Sequence, residues 1–364
     1  MKNSFGQSVA VTLFGESHGE AIGAVVDGLA PGIPVDEAFI AHQLTLRRPA
    51  GTTGTARREA DEFRIVSGVF QGKTTGTPLC ILIPNADTHS RDYAATRHLA
   101  RPGHADYTAW CKYHGYEDYR GGGHFSGRVT AALVAAGAVA VTALKRKGVA
   151  IGSHVARCGG IADRHFSDDP SAEIAALNEQ VFAVLDAEAG EAMRSAIEHA
   201  SAEGDSLGGV VETAVCGLPA GVGEPWFDTL EGCLAKALLS IPAVKGVEFG
   251  AGFALADMRG SEANDPFAMD DGRVVTTSNR SGGVNGGISN GMPLLFRCAV
   301  KPTPSIFRAQ DTVDFLKGED AVLQLTGRHD PAIVHRARVV VDSVTALTLC
   351  DLLALRCGTD WLAG

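Results

Sequence analysis

The chain is short of positive charge, of aromatic side chains and of paired cysteines. Lysine and arginine number 32 against 42 aspartates and glutamates, a formal net charge of -10. That balance excludes a global role on nucleic acid or on an anionic membrane surface, so an anionic ligand must draw its positive field from local arginine clusters. The eight cysteines, at 80, 111, 158, 216, 233, 298, 350 and 357, include no C-x-x-C pair. Ligand spacing for structural zinc is lacking, no metal site is expected, and buried reduced thiols in a cytoplasmic protein are the expectation. The first residues, Met1 to Gly6, carry no apolar run of signal-peptide type, and no stretch approaches the uninterrupted apolar length that spans a bilayer. There is no G-x-S-x-G elbow, no G-x-x-x-x-G-K-[ST] loop and no G-x-G-x-x-G in a clear early βαβ unit. A hydrolase of that type, a P-loop nucleotidase and a Rossmann dehydrogenase are therefore disfavoured. Without a linker, a charge block or a low-complexity tract, one domain over residues 1–364 is expected.

What is present is apolar residue and glycine: 45% hydrophobic composition, and 44 glycines among 364 residues. That supports a large core with many tight turns and close backbone approaches. Strand-like runs lie at 9–14, 22–26, 63–69 and 79–83. Asp36 reads as the N-cap of a helix through Phe39, Ile40 and Leu44, which Pro49 stops. Residues 84–127 form a long polar, glycine-rich region of the kind that usually carries function. The alanine- and valine-rich run 126–144 is apolar on nearly every face and predicts a helix buried all round. Helical spacing over 171–199 predicts a more exposed helix pair, broken at Gly190. A strand at 208–215, a capped helix at 228–239, a strand at 294–300 and a last helix at 343–355 complete an α+β chain. These runs recur in two halves, as an internal duplication would give.

Five clusters could carry chemistry. In Gly15-Glu16-Ser17-His18-Gly19, glycines flank a histidine just after a strand, and imidazole suits proton transfer near neutral pH. Arg47 and Arg48, then Arg57 and Arg58, offer planar forks that match phosphate and carboxylate oxygens. Arg101-Pro102-Gly103-His104-Ala105-Asp106 sets a second histidine after a stiff turn. Arg120-Gly121-Gly122-Gly123-His124-Phe125-Ser126-Gly127-Arg128 runs into the apolar helix, where backbone N–H groups favour a phosphate. The last comprises the glycines around Gly286, Lys301 to Ser305 at a strand end, and Gly327-Arg328-His329-Asp330. Asp330 is there a carboxylate in a basic setting, suited to act as a base. Together they support an enzyme acting on small phosphorylated anions. They do not define its reaction.

These motifs, with Leu46-Arg47-Arg48-Pro49, Tyr119-Arg120-Gly121-Gly122-Gly123, Ala243-Val244-Lys245-Gly246-Val247-Glu248, Lys301-Pro302-Thr303 and Gly327-Arg328-His329-Asp330-Pro331, resemble chorismate synthase, in the family's order and over essentially the whole chain. The resemblance implies a large β-α-β sandwich, with helices packed between antiparallel sheets, usually assembled as a homotetramer. It implies a carbon–oxygen lyase of aromatic amino acid biosynthesis, which eliminates phosphate from 5-enolpyruvylshikimate 3-phosphate by a 1,4-anti route. Reduced FMN is then required without net redox change. By the same likeness His18 and His104 match the two catalytic histidines, one serving phosphate and one the flavin. Asp330 matches the carboxylate near flavin N5. FMN contacts fall on His124, Phe125, Ser126, Ala243, Gly286, Lys301, Pro302, Thr303, Pro304, Ser305 and Arg328. Arg48 matches an arginine assigned to substrate or NADP, and Arg128 and Arg336 are substrate candidates.

Two departures stand out. The family loop Arg-Ser-Ser-Ala-Arg-Glu-Thr reads His124-Phe125-Ser126-Gly127-Arg128-Val129-Thr130 here, and the stretch between Arg48 and Arg57 is one residue shorter and lacks the arginine of the family's Ser-Arg-x-Thr-Thr. We expect a divergent branch in which His124 or Arg58 compensates. The alternative is a catalytically inactive flavin- or anion-binding paralogue, against which His18, His104 and Asp330 are all present. The chain lacks the insertions that accompany self-reduction of flavin by NADPH, so an external flavin reductant is expected as partner.

Overall fold

A computed structural model describes residues 2–48, 61–86, 96–325 and 330–363. Two five-stranded antiparallel sheets enclose the long helices. The N-terminal sheet runs, in spatial order, Ser4–Phe5, Ala10–Gly15, Ala21–Asp27, Leu79–Pro84 and Arg64–Ser67. The second runs Val244–Phe249, Leu294–Val300, Gly209–Cys216, Ala150–Cys158 and Ile161–Ala162. Numbered by appearance within each sheet, the orders are 1-2-3-5-4 and, read from the opposite edge, 2-1-3-5-4. Each half also ends in a long buried helix, Thr130–Arg146 and Val334–Cys357. The two halves thus share most of one connectivity and differ in their first two strands.

The helix Thr130–Arg146 packs on the first sheet, Val334–Cys357 on the second, and the two pack on each other. Their crossing is close because Gly137 has no side chain: a Cβ there would lie 2.3 Å from Ser343 Cβ. Buried apolar residues from both sheets and both helices form one contiguous cluster. Asp351 closes the ends of the chain together, its carboxylate accepting from the backbone N–H groups of Gln7, Ser8 and Val9 at 2.7–3.1 Å. The architecture is the expected α+β sandwich.

The local expectations fare unevenly. Asp36 accepts from Phe39 N at 3.0 Å and caps the helix Glu37–Arg47 as read. The strand Leu294–Val300 has the expected bounds. The helix pair Ser171–Leu177 and Ala187–Ala202 breaks before Asp186, which caps the second member, and not at Gly190. Gly190 lies in that helix's first turn because Val184 packs where its side chain would be. The C-terminal helix starts at Val334, a full nine residues before the expected start, since its first turns bury the polar His335, Arg338 and Asp342. Of the cysteines, 158, 298 and 350 are buried, but Cys111 and Cys357 are exposed. Contrary to expectation, one helical stretch, Gly127–Arg146, is long and apolar enough to cross a bilayer. Its burial between the sheets accounts for that composition.

Candidate active site

A cleft of about 930 Å³ opens where the starts of the two long helices meet the strand ends. Its floor depends on three successive glycines in the left-handed region, Gly121, Gly122 and Gly123, at φ of 58°, 83° and 53°. A Cβ on Gly121 would lie 2.1–2.2 Å from the His18 ring, and one on Gly122 would press on His104 Cε1 and Nε2 at 3.2 and 3.3 Å. Adjacent peptides thus seat two histidines that are 86 positions apart in sequence. Ser17 N donates to Gly123 O at 3.1 Å and ties the Gly-Glu-Ser-His-Gly turn to this loop. Asn85 holds the same turn from the other side by donating to Glu16 O and Gly19 O, both at 2.9 Å. His104 lines the cleft, whereas His18 is buried against Gly121 and does not.

Each histidine has a carboxylate near it, and each carboxylate is gripped by an arginine. His104 Nδ1 lies 2.9 Å from Asp106 Oδ1, and Arg101 donates to Asp106 from Nε at 2.7 Å and Nη2 at 2.6 Å. Burial alone would raise the Asp106 pKa, but Arg101 and His104 outweigh it and hold the group far below the usual carboxylate range. Asp118 accepts from Arg120 Nε at 2.8 Å and Nη2 at 2.7 Å, which lowers its pKa, and the charge of His18 adds to that effect.

On the opposite wall, arginines converge on Asp61, whose carboxylate has no exposure. Arg47 Nη2 approaches it at 3.1 Å, Arg48 Nε at 3.4 Å, and Arg128 Nη1 completes the set. Three guanidiniums against one carboxylate leave two positive charges in excess. Burial lowers the Arg47 pKa to about 10, with Asp61 opposing and Arg336 and Arg128 adding to the fall. Burial likewise disfavours the Asp61 carboxylate, but Arg47 and Arg128 prevail and its pKa is lowered. Arg128 also donates to Asn85 Oδ1 at 3.0 Å and Pro84 O at 3.2 Å, so much of its fork serves the protein itself. Arg48 is the more exposed member, with 30% of its side chain accessible.

The C-terminal helix brings the third side. Asp330 pairs with Arg336, and Arg336 Nε donates to Arg47 O at 2.8 Å. Lys301 Nζ donates to Gly103 O, joining the strand-end segment to the His104 turn. Thr303 Oγ1 is buried without a hydrogen-bond partner among the described residues. Ala243, a non-glycine residue at φ 73°, accepts from Lys301 N at 3.0 Å. His124 donates from Nδ1 to Gly15 O at 2.8 Å, and Ser126 caps the turn at Arg128 N.

The structure therefore gathers His104, Asp330, His124, Phe125, Ser126, Ala243, Lys301, Thr303, Pro304, Ser305, Arg48, Arg128 and Arg336 around one cleft. It does not gather all the expected residues. Gly286 sits exposed in the Val284–Ser289 hairpin, which packs against 224–230, and it does not line the cleft of the single chain. Pro302 points outward between two lining neighbours. Arg58, Arg328 and the short 49–57 stretch lie outside the described residues. Asp61 was not singled out by sequence, and the pairing of Asp106 with His104 was hidden inside a motif read mainly for its histidine.

Comparison with known proteins agrees over nearly the full length. The model of the chorismate synthase family matches residues 9–354. The chorismate synthase of Aeropyrum pernix is 49% identical over 98% of this chain and 93% of its own length. That of Thermococcus kodakarensis is 47% identical over 96% and 97%. A crystal structure of chorismate synthase superposes with a TM-score of 0.77 at 30% identity, covering 98% of this chain and 94% of the other. On the match of fold, length and sequence together, the chain belongs to the chorismate synthase family.

Proposed function

We propose that the cleft binds 5-enolpyruvylshikimate 3-phosphate beside reduced FMN and eliminates phosphate in a 1,4-anti sense to give chorismate. One observation carries this reading. In a protein of net charge -10, seven lysine or arginine side chains line the cleft against two carboxylates, Asp61 and Asp330. Such a concentration of one sign in a partly closed site attracts and holds small polyanions.

The donor set fits a flavin nucleotide as well as the substrate. The cleft volume lies at the upper end of the range for ligand pockets. Thr303 and the partly exposed Phe125 line it. His124, Phe125, Ser126, Ala243, Lys301, Thr303, Pro304 and Ser305 would hold FMN, and the reduced cofactor would supply transient electron density that eases C–O cleavage. Arg48 and Arg336 would hold the substrate's phosphate and carboxylates, stabilising charge that grows on the departing phosphate. His104 would hold or deliver a proton at the cleft face, His18 a second one from behind Gly121, and Asp330 would take the ring proton. The pairing with Arg336 holds the Asp330 carboxylate at the cleft.

The test is anaerobic turnover with dithionite-reduced FMN, following chorismate absorbance and phosphate release. Equal yields, seen only with reduced flavin, are expected. Ligand binding without product would overturn the reading in favour of an inactive paralogue. We also propose that an external reductant supplies the flavin. NADPH oxidation by the pure protein with oxidised FMN would contradict this. Assembly into a homotetramer is supported by exposed apolar side chains such as Phe227 and Phe253, 96% and 84% accessible in the single chain.

A further inference from the structure

We infer that Asp106 is a positioning residue: it fixes the ring tautomer of His104, so that Nε2 is the nitrogen that exchanges a proton in the cleft. Two groups approach His104 Nδ1. Asp106 Oδ1 stands at 2.9 Å and can only accept, and Arg101 Nη2 stands at 3.0 Å and can only donate. They demand opposite tautomers of the neutral ring. Arg101 is already committed to the carboxylate through its Nε–Oδ2 and Nη2–Oδ1 contacts. Arg101 N binds the same carboxylate at 3.0 Å. An unprotonated Nδ1 would set its lone pair against a charged carboxylate oxygen. A protonated Nδ1 makes a charge-assisted hydrogen bond there instead. Nδ1–H therefore faces Asp106, and Nε2 is left beside Gly122, on the wall of the cleft.

The frame around this array is stiff. His104 N donates to Arg101 O at 3.0 Å within the turn, and Lys301 Nζ clamps Gly103 O. Asp106 also begins the helix Asp106–Tyr113, which keeps its carboxylate in place relative to the turn. Arg101 thus orients Asp106, and Asp106 orients His104. The same logic gives an aspartate its role behind a catalytic histidine elsewhere: it chooses the nitrogen and does not itself carry the proton.

The spectroscopic test is independent of the proposed elimination; only its kinetic arm rests on that reading. Long-range ¹H–¹⁵N spectra of the ¹⁵N-labelled full chain, compared with those of His104→Gln, pick out the His104 ring. In the neutral ring we expect a protonated Nδ1 and an unprotonated Nε2. In Asp106→Asn the tautomers mix or invert, and kcat falls about 10²-fold or more while KM stays within about threefold, as loss of a correctly oriented acid or base requires. Asp106→Glu restores part of both. If Asp106→Asn does not fold, Arg101→Lys serves instead: it keeps the carboxylate but loses the fork, and should keep the tautomer with a smaller loss of kcat. A wild-type ring protonated at Nε2 would overturn the inference, with Arg101 then donating into Nδ1. So would an unchanged tautomer in Asp106→Asn. A correct tautomer shift in a protein without turnover would leave the inference standing and remove the proposed function.

Discussion

Two of the polar clusters inside this protein are built on opposite terms. In the cleft, Arg47, Arg48 and Arg128 outnumber Asp61, and among the described residues neither Arg47 Nε nor Thr303 Oγ1, both buried, has a partner. In the second sheet, His154 lies fully buried between Asp163 Oδ2 at 2.8 Å and Glu212 Oε2 at 3.0 Å. Asp163 takes three backbone N–H groups besides, and His165 closes on Glu212 at 2.9 Å. The second network satisfies itself. The first keeps excess charge and open donors, which is costly unless something else arrives to use them. Buried polarity alone therefore does not mark a functional site. An unbalanced and incomplete network that faces a cleft does.

Substitutions should separate the two. His104→Gln should lower kcat by about 10²–10⁴-fold with little change in the unfolding midpoint, measured by anaerobic turnover and thermal melting. His154→Gln should do the reverse, costing about 3–5 kcal/mol of stability while the folded fraction turns over normally. If His154→Gln slows chemistry instead, the two clusters are not functionally distinct. Gly121→Ala should cut kcat about 10²-fold, because the methyl group displaces the His18 ring and also strains a left-handed backbone. Activity close to wild type in Gly121→Ala would remove His18 from the mechanism.

The pH dependence carries the contrast further. Burial opposes charge on His154, but the hydrogen bonds and charges of Asp163 and Glu212 outweigh it, and its pKa is raised. Its contribution is then full below the unfolded value of about 6.5 and is lost as pH rises through the folded value. The stability gap between wild type and His154→Gln should shrink as the solution is made alkaline. A gap that widens would mean that the buried ring is neutral. In the cleft, Arg48→Ala should raise substrate KM about tenfold, an effect that fades at high salt. The smallest effect concerns His335, whose ring stacks on Phe182 at 5.5 Å with both nitrogens buried and unpartnered. Burial, with Arg336 and Arg338, lowers its pKa to about 3. Above about 6.5 the ring is neutral folded or unfolded, and stability is lost as pH falls from there through the folded value of about 3. His335→Phe should gain roughly 1 kcal/mol at neutral pH and more in acid. Loss of stability would mean that the imidazole has a use that its surroundings do not show.

Sequence made the scaffold legible where one residue settled a local question. Asp36 caps its helix through a side chain two bonds from the backbone, and the alternation at 294–300 sets its strand. The site was legible as a set of motifs, because glycines, histidines and arginines cluster in short runs. What escaped was long-range pairing. Nothing local to Asp61 says that arginines 47 and 128 will meet there. The first turns of the C-terminal helix fall outside the expected 343–355 because their polar side chains find distant partners, Ser153 donating to Asp342 and Arg338 to Gln180 O. The glycine pair at 286–287 turns a hairpin outside the cleft of the single chain, and in sequence such a pair after a strand looks alike whether it faces a ligand or only makes a turn.

The helix Thr130–Arg146 has a consequence for synthesis. It leaves the ribosome about 190 residues before Val334 begins the helix that covers it. At roughly 5–20 residues per second, an apolar rod of bilayer-spanning length waits for about 10–40 s with the first sheet and the helix Glu37–Arg47, but not its C-terminal partner, to shelter it. Nascent chains halted midway should therefore recruit chaperones or aggregate, and those released after the last helix should not. The hazard belongs to the order of the chain and not to the finished protein.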